Sequence, residues 1–145
     1  MACDRAASAP TRSTSVSASW STVAETPASA RRDSHSVANP EEVVVTHLDL
    51  DWDVRFARHV LDGHVTLHIE RMVRGAGTLR LDTRDLSITA VERSDTGDDW
   101  TPAPFTLGPA DPIRGAPLDV HLAETTTQGR VTYTTSPGAS GVQWL

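Results

Sequence analysis

The chain contains no lysine: all thirteen basic residues are arginine. A phosphate-cradling loop that ends in Lys-Ser/Thr is therefore excluded. The arginines are dispersed and form no stripe, so their exclusive use points to GC-rich coding rather than to chemistry. There is one cysteine, Cys3, so no intrachain disulfide can form, and a lone thiol in a polar stretch is a poor candidate nucleophile. No apolar run approaches the ~20 residues that cross a bilayer. The longest, Val43-Val44-Val45, is interrupted at once by Thr46 and His47, so neither a membrane-spanning helix nor a membrane partner is expected. Helical periodicity is also missing, since no window repeats its apolar residues every 3.6 positions. Acids outnumber bases, giving a net charge of -6 and a pI near 5.4. Gripping phosphate backbones needs a clustered basic surface, so nucleic acid is not an expected partner.

What is present fits one domain. A chain of 145 residues with 38% hydrophobic content supports a single modest core. Residues 1–32 differ from the rest: seven Ser, eight Ala, Arg5, Arg12, Arg31 and Arg32 accompany only two acids, Asp4 and Glu25. So little apolar surface cannot offset the ~1–2 kcal/mol per residue of backbone ordering, and a disordered tail is expected over 1–32. The same Arg- and Ser-rich, acid-poor composition marks organelle transit peptides, whereas the apolar core of a secretory signal is absent.

From Val44 the apolar period becomes two. Val44, Thr46, Leu48, Leu50, Trp52, Val54 and Phe56 are expected on one face, with His47, Asp49, Asp51, Asp53 and Arg55 on the other. After a turn near 57–60 the alternation resumes, with Leu61, Gly63, Val65, Leu67 and Ile69 inward and Asp62, His64, Thr66, His68 and Glu70 outward. Two such runs predict an antiparallel hairpin. Shorter strands are expected at 78–81, 86–91, 105–107, 118–122 and 130–135, separated by the turn-forming stretches 94–99 and 108–115. The pattern predicts an all-β fold, an antiparallel sandwich or saddle-shaped sheet.

Four constellations contain residue types that chemistry uses. His64 and His68 have the spacing by which a helix presents two zinc ligands. On a strand they lie ~13 Å apart at ~3.3 Å per residue, too far to share an ion with ~2 Å bonds. Asp49, Asp51 and Asp53 resemble the start of a calcium loop, but Val54 and Val60 stand where Gly and Glu are required, so a solvated acidic face is expected. Gly138-Ala-Ser140-Gly141 falls short of a nucleophile elbow, which needs a following helix. Trp52 shares the apolar parity of its strand and is expected in the core, whereas Trp100 and Trp144 have no obvious place.

One set of residues carries a resemblance. Leu79-Arg-Leu-Asp82-Thr-Arg-Asp85-Leu-Ser-Ile88 is similar to a leucine, aspartate and threonine run in leukotriene A(4) hydrolase-type zinc aminopeptidases, gluzincins of the aminopeptidase N superfamily. Asn39-Pro40 with Thr46 to Leu50, Leu61-Asp-Gly63, Gly115 to Leu118, Thr135-Ser-Pro137 and Gln143-Trp-Leu145 support it. The resemblance covers residues 33–145, roughly three quarters of the chain, and implies the family's N-terminal β domain, which packs on a catalytic domain and helps shape its cleft.

The family's catalytic residues have no counterparts here. The chain contains no H-E-x-x-H, no G-x-M-E-N, and a single tyrosine, Tyr133, on an expected strand. No catalytic, cofactor-binding or metal-ligating residue is therefore assigned; zinc belongs to the full-length family. Expected partners are the family's catalytic domain and, through open sheet edges, further copies of this chain. Because the family domain continues past the Gln-Trp-Leu at the end, a gene fragment, short isoform or truncated gene model is expected. A cytoplasmic location is expected, or an organellar one if residues 1–32 act as a transit peptide.

Overall fold

The computed structural model describes residues 33–144. The disordered tail expected over 1–32, with Cys3, lies outside the described residues, as does Leu145. Eight strands follow one another: β1 (Val43–Arg55), β2 (Val60–Arg71), β3 (Thr78–Asp82), β4 (Leu86–Ser94), β5 (Thr101–Pro102), β6 (Phe105–Leu107), β7 (Pro117–His121) and β8 (Gln128–Thr135). The only helical element among the described residues is a 3-10 turn, Phe56–Arg58, which reverses the chain between β1 and β2. His59 closes it in the left-handed conformation, with φ of 52°.

Every pairing is antiparallel. Five strands form one sheet in the order β1-β2-β8-β4-β5, and three form another in the order β3-β7-β6. The expected all-β antiparallel sandwich is thus the observed fold. The short β5 was not anticipated. It has two residues, pairs only with Glu92 and Arg93 of β4, and carries Pro102, which an edge strand tolerates because one flank needs no donor.

The core lies between the sheets. Leu79, Leu118 and Val120 from the small sheet are at most 2% exposed, and meet Leu67, Val91, Val131 and Tyr133 from the large one. β7 lies between β3 and β6, so its inward residues Leu118 and Val120 have neighbours on both sides. Across β3 and β7, Arg80 clasps Asp119 with Nε to Oδ1 at 2.6 Å and Nη2 to Oδ2 at 2.8 Å. Arg71 donates to the carbonyls of Ala76, Ala123 and Thr126, tying two loops at the end of β2. Asn39 extends the small sheet: its Oδ1 accepts the Arg80 amide and its Nδ2 donates to the Thr78 carbonyl.

The parity expected for the start of β1 is corrected. A β-bulge falls between Val45 and His47, opposite Ile69 and His68. One extra residue reverses the side on which every later side chain emerges. Val43 and Val45 therefore join the core with Leu67 and Ile69, while Val44, paired with Glu70, takes the opposite face from Leu48 and Leu50. Simple alternation put Val44 and Thr46 inward because it cannot register a bulge.

Candidate functional site

The chemically capable side chains are dispersed, and strand pairing brings one pair of histidines together. His64 stands opposite Asp51, and His68 opposite His47. His68 and His47, brought side by side by the β1–β2 register, share Asp49: His68 Nε2 lies 3.0 Å from Oδ2 and His47 Nε2 lies 3.2 Å from Oδ1. Their rings meet edge to face at 5.3 Å. Hydrogen bonds from His68 and then His47 hold the Asp49 carboxyl below its ordinary range. Sequence spacing could not have found this cluster, because 21 positions separate its histidines and only strand pairing joins them.

Asp51 and Asp53 do not converge with Asp49 on a common point. Asp53 instead binds Arg55 Nη2 at 2.6 Å, and Asp62 accepts the Thr134 hydroxyl at 2.6 Å. Among the described residues no group of three or more His, Cys, Asp or Glu side chains is placed to hold a metal ion. The donor set does not fit the zinc of the resembled family. Ser140 follows β8 in a loop, where its amide and hydroxyl both reach Asp85 Oδ2 at 3.1 Å. Those contacts, the backbone one first, lower the Asp85 pKa. A serine that donates to a carboxylate with no histidine between them lacks the base that nucleophilic attack needs.

The tryptophans have separate roles. Trp52 is not a core residue, as its position in the alternation suggested. It is 41% exposed and lies across Gly63, with Nε1 donating to the Tyr133 hydroxyl at 2.8 Å. The strands are so close there that a Cβ on Gly63 would sit 2.0 Å from the Asp51 carbonyl oxygen. Burial raises the Tyr133 pKa; the phenol faces the interior, committed to Trp52. Trp100 lies under the Arg130 guanidinium at 3.7 Å, a cation–π contact. Trp144 stacks on His59 at 5.5 Å and meets Phe56 edge-on at 6.0 Å.

What these strands display most conspicuously is apolar. Leu48, Leu50, Trp52, Val54 and Phe56 are 41–73% exposed along one strand and its turn. They share the face of β2 that carries the buried Leu67, yet the three-stranded sheet does not reach over them: beyond Val43 and Val45, β1 contributes nothing to the core cluster. The surface hollows elsewhere are shallow. One of about 430 Å³ is lined by loop residues such as Arg84, Asp111 and Pro112. This stripe has the chemistry of a docking face, able to bury apolar surface and to supply no acid, base or ligand.

Fold and surface define the class: a two-sheet antiparallel β domain with an exposed apolar face on one outer strand. Its homologues are leukotriene A-4 hydrolase and leucine aminopeptidase. It is 31% identical over 118 residues to leukotriene A-4 hydrolase of Xenopus laevis, covering 78% of this chain and 19% of the relative. To leucine aminopeptidase 2 of Phaeosphaeria nodorum it is 26% identical over 119 residues, covering 79% and 18%. Its fold matches yeast LTA4 hydrolase solved in complex with bestatin, at a TM-score of 0.65, 21% identity, and 76% and 17% coverage. The native Saccharomyces cerevisiae enzyme gives 0.64, 22%, 76% and 18%. The chain thus spans about a fifth of the length of the curated relatives it matches. No protein-family model matches it.

Proposed function

We propose that residues 33–145 serve as the non-catalytic N-terminal β domain of a zinc aminopeptidase of the leukotriene A-4 hydrolase type, whose parent removes N-terminal residues from peptides. Residues 1–32 are an extension outside that domain. The carrying observation is the 31% identity over 118 residues to the Xenopus laevis enzyme. In this reading the β1 stripe of Leu48, Leu50, Trp52 and Val54 packs against the parent's catalytic domain. Covering it gains about 25 cal/mol per Å² of apolar surface. The zinc and its base reside in the catalytic domain, and this chain contributes shape to the cleft rather than a reacting group.

Two measurements test the reading. Metal analysis of the purified chain should find no stoichiometric zinc, and aminoacyl-arylamides should remain uncleaved; one tightly held zinc per chain would sink it. Sequencing the transcript downstream of the Leu145 codon should reveal an in-frame H-E-x-x-H. The cytoplasmic location belongs to the same proposal, and a fluorescent fusion with and without residues 1–32 distinguishes it from organellar import.

A second reading is favoured by one observation, the position of the thirteen-residue β1 as the outermost strand of its sheet among the described residues. A stand-alone module could bind a peptide or a further copy of itself by strand addition there. A stop codon with no catalytic region downstream would favour it.

A further inference from the structure

The described chain opens on a turn that carries an exposed hydroxyl. The Ser36 amide closes this turn on the Asp33 carbonyl at 3.3 Å, with Ser34 and His35 at its tip. Asp33 Oδ1 accepts the His35 amide at 2.8 Å. The Ser36 hydroxyl and Val37 amide tie the next residues to Asp82 at 2.6 and 3.0 Å. Ser34 is therefore exposed at the head of a segment that is anchored on the three-stranded sheet.

The sequence singles out this hydroxyl. Arg31-Arg32-Asp33-Ser34 is the one place in the chain where two arginines adjoin, and it sets guanidinium groups two and three residues before the serine. Protein kinases choose acceptors by such local charge patterns, because acidic pockets beside the catalytic cleft bind arginines that precede the acceptor. Burial removes a competitor. Thr83 also has an arginine, Arg80, three residues before it, but it is 6% exposed and donates to the Ala116 carbonyl.

Beside Ser34 lies a receiver for the product. A hollow of about 390 Å³ is lined by Asp33, Ser34, Ser36, Val37, Arg80 and Arg114. Two guanidinium groups thus face one carboxylate, which is already turned to the His35 amide. Arg80 clasps Asp119 through Nε and Nη2, which leaves Nη1 outside the clasp, and Arg114 reaches Asp111 only at 3.5 Å. We propose that Ser34 is the acceptor of an arginine-directed serine kinase, and that the phosphate it gains settles between Arg80 and Arg114. The hydroxyl oxygen attacks the γ-phosphorus of a nucleoside triphosphate, the bond to the β-phosphate breaks, and the nucleoside diphosphate leaves. A carboxylate of the kinase takes the hydroxyl proton. The phosphoserine carries roughly -1.5 to -2 charge at pH 7 and three strong acceptors, which suit the fork of a guanidinium. Phosphorylation then pins residues 33–37 more firmly to the small sheet.

This inference does not rest on the parent-enzyme reading. To test it, the intact chain is incubated with ATP and a purified arginine-directed kinase, beside S34A and R31A/R32A variants. Intact mass should show one phosphate on the native chain and none on S34A, with the double-arginine variant slowed about tenfold or more. Phosphorus NMR then follows the phosphoserine through pH in the native chain, in an R114Q variant and in a synthetic phosphopeptide of residues 29–38. In the native chain its second proton should be lost at lower pH than in the peptide, since nearby guanidinium groups favour the dianion. R114Q should move the midpoint back toward the peptide. Phosphate incorporated elsewhere with Ser34 untouched would overturn the acceptor, and identical titration in all three would overturn the receiving hollow.

Discussion

The alternating strands of this domain meet two different fates. In β7, Leu118 and Val120 are at most 1% exposed, enclosed by β3, β6 and the large sheet; in the outer half of β1, Leu48, Leu50, Trp52 and Val54 alternate just as regularly and remain 41–49% exposed. Period-two apolarity identifies a face and says nothing of what covers it. Cover depends on how far the opposing sheet extends, and here three strands face five.

The contrast should be plainest in stability. Leu118→Ala empties a sealed site and should cost about 2–5 kcal/mol, a large share of the ~5–15 kcal/mol that holds a domain. Urea melts would show it, and a loss below about 1 kcal/mol would mean that the core is looser than its burial indicates. Next in size is Gly63→Ala. Its Cβ collides with the Asp51 backbone, so β1 must shift away from β2, at roughly 1–3 kcal/mol. Hydrogen exchange should localise that damage to β1 and β2 and leave β3 and β7 protected.

The Arg80–Asp119 clasp sharpens the same comparison through pH. Hydrogen bonds from Arg80 lower the Asp119 pKa, so the folded state binds that proton less readily than the unfolded one. The resulting stability is present above the ordinary aspartate range and is lost as pH falls through the lowered value. With Arg80 42% exposed, solvent screening limits it to about 1 kcal/mol or less. Asp119→Asn should therefore cost up to about 1 kcal/mol at pH 7 and little at low pH, which flattens the acid limb of the stability curve; an unchanged acid limb would remove the clasp from the account.

Smallest of all should be Leu50→Ala, within about 0.5 kcal/mol because its site is already half wet. Its effect should appear in association instead. Light scattering across a concentration series should show the variant self-associating less than the native chain, and equal association would mean that the stripe is not the sticky surface.

Much of the architecture could be read from the residues alone. The hairpin of β1 and β2, the short strands that follow and the absence of an α-helix among the described residues all come from local periodicity, which backbone geometry imposes. The bulge after Val45 was hidden because an inserted residue changes parity without changing composition. β5 was missed because two residues carry no period. The His47–Asp49–His68 contact was invisible, and the spacing of His64 and His68 drew attention to a pair that strand geometry holds apart.

The sequence by itself determined the fold class and the resemblance to an aminopeptidase domain, since both are written in local alternation and in short runs such as Leu79 to Ile88. Only the tertiary structure decided which apolar face is sealed, which histidines meet, and that β1 is outermost among the described strands. Those outcomes depend on pairings between residues far apart in the chain, where register and sheet width, rather than neighbouring residues, set what each side chain touches.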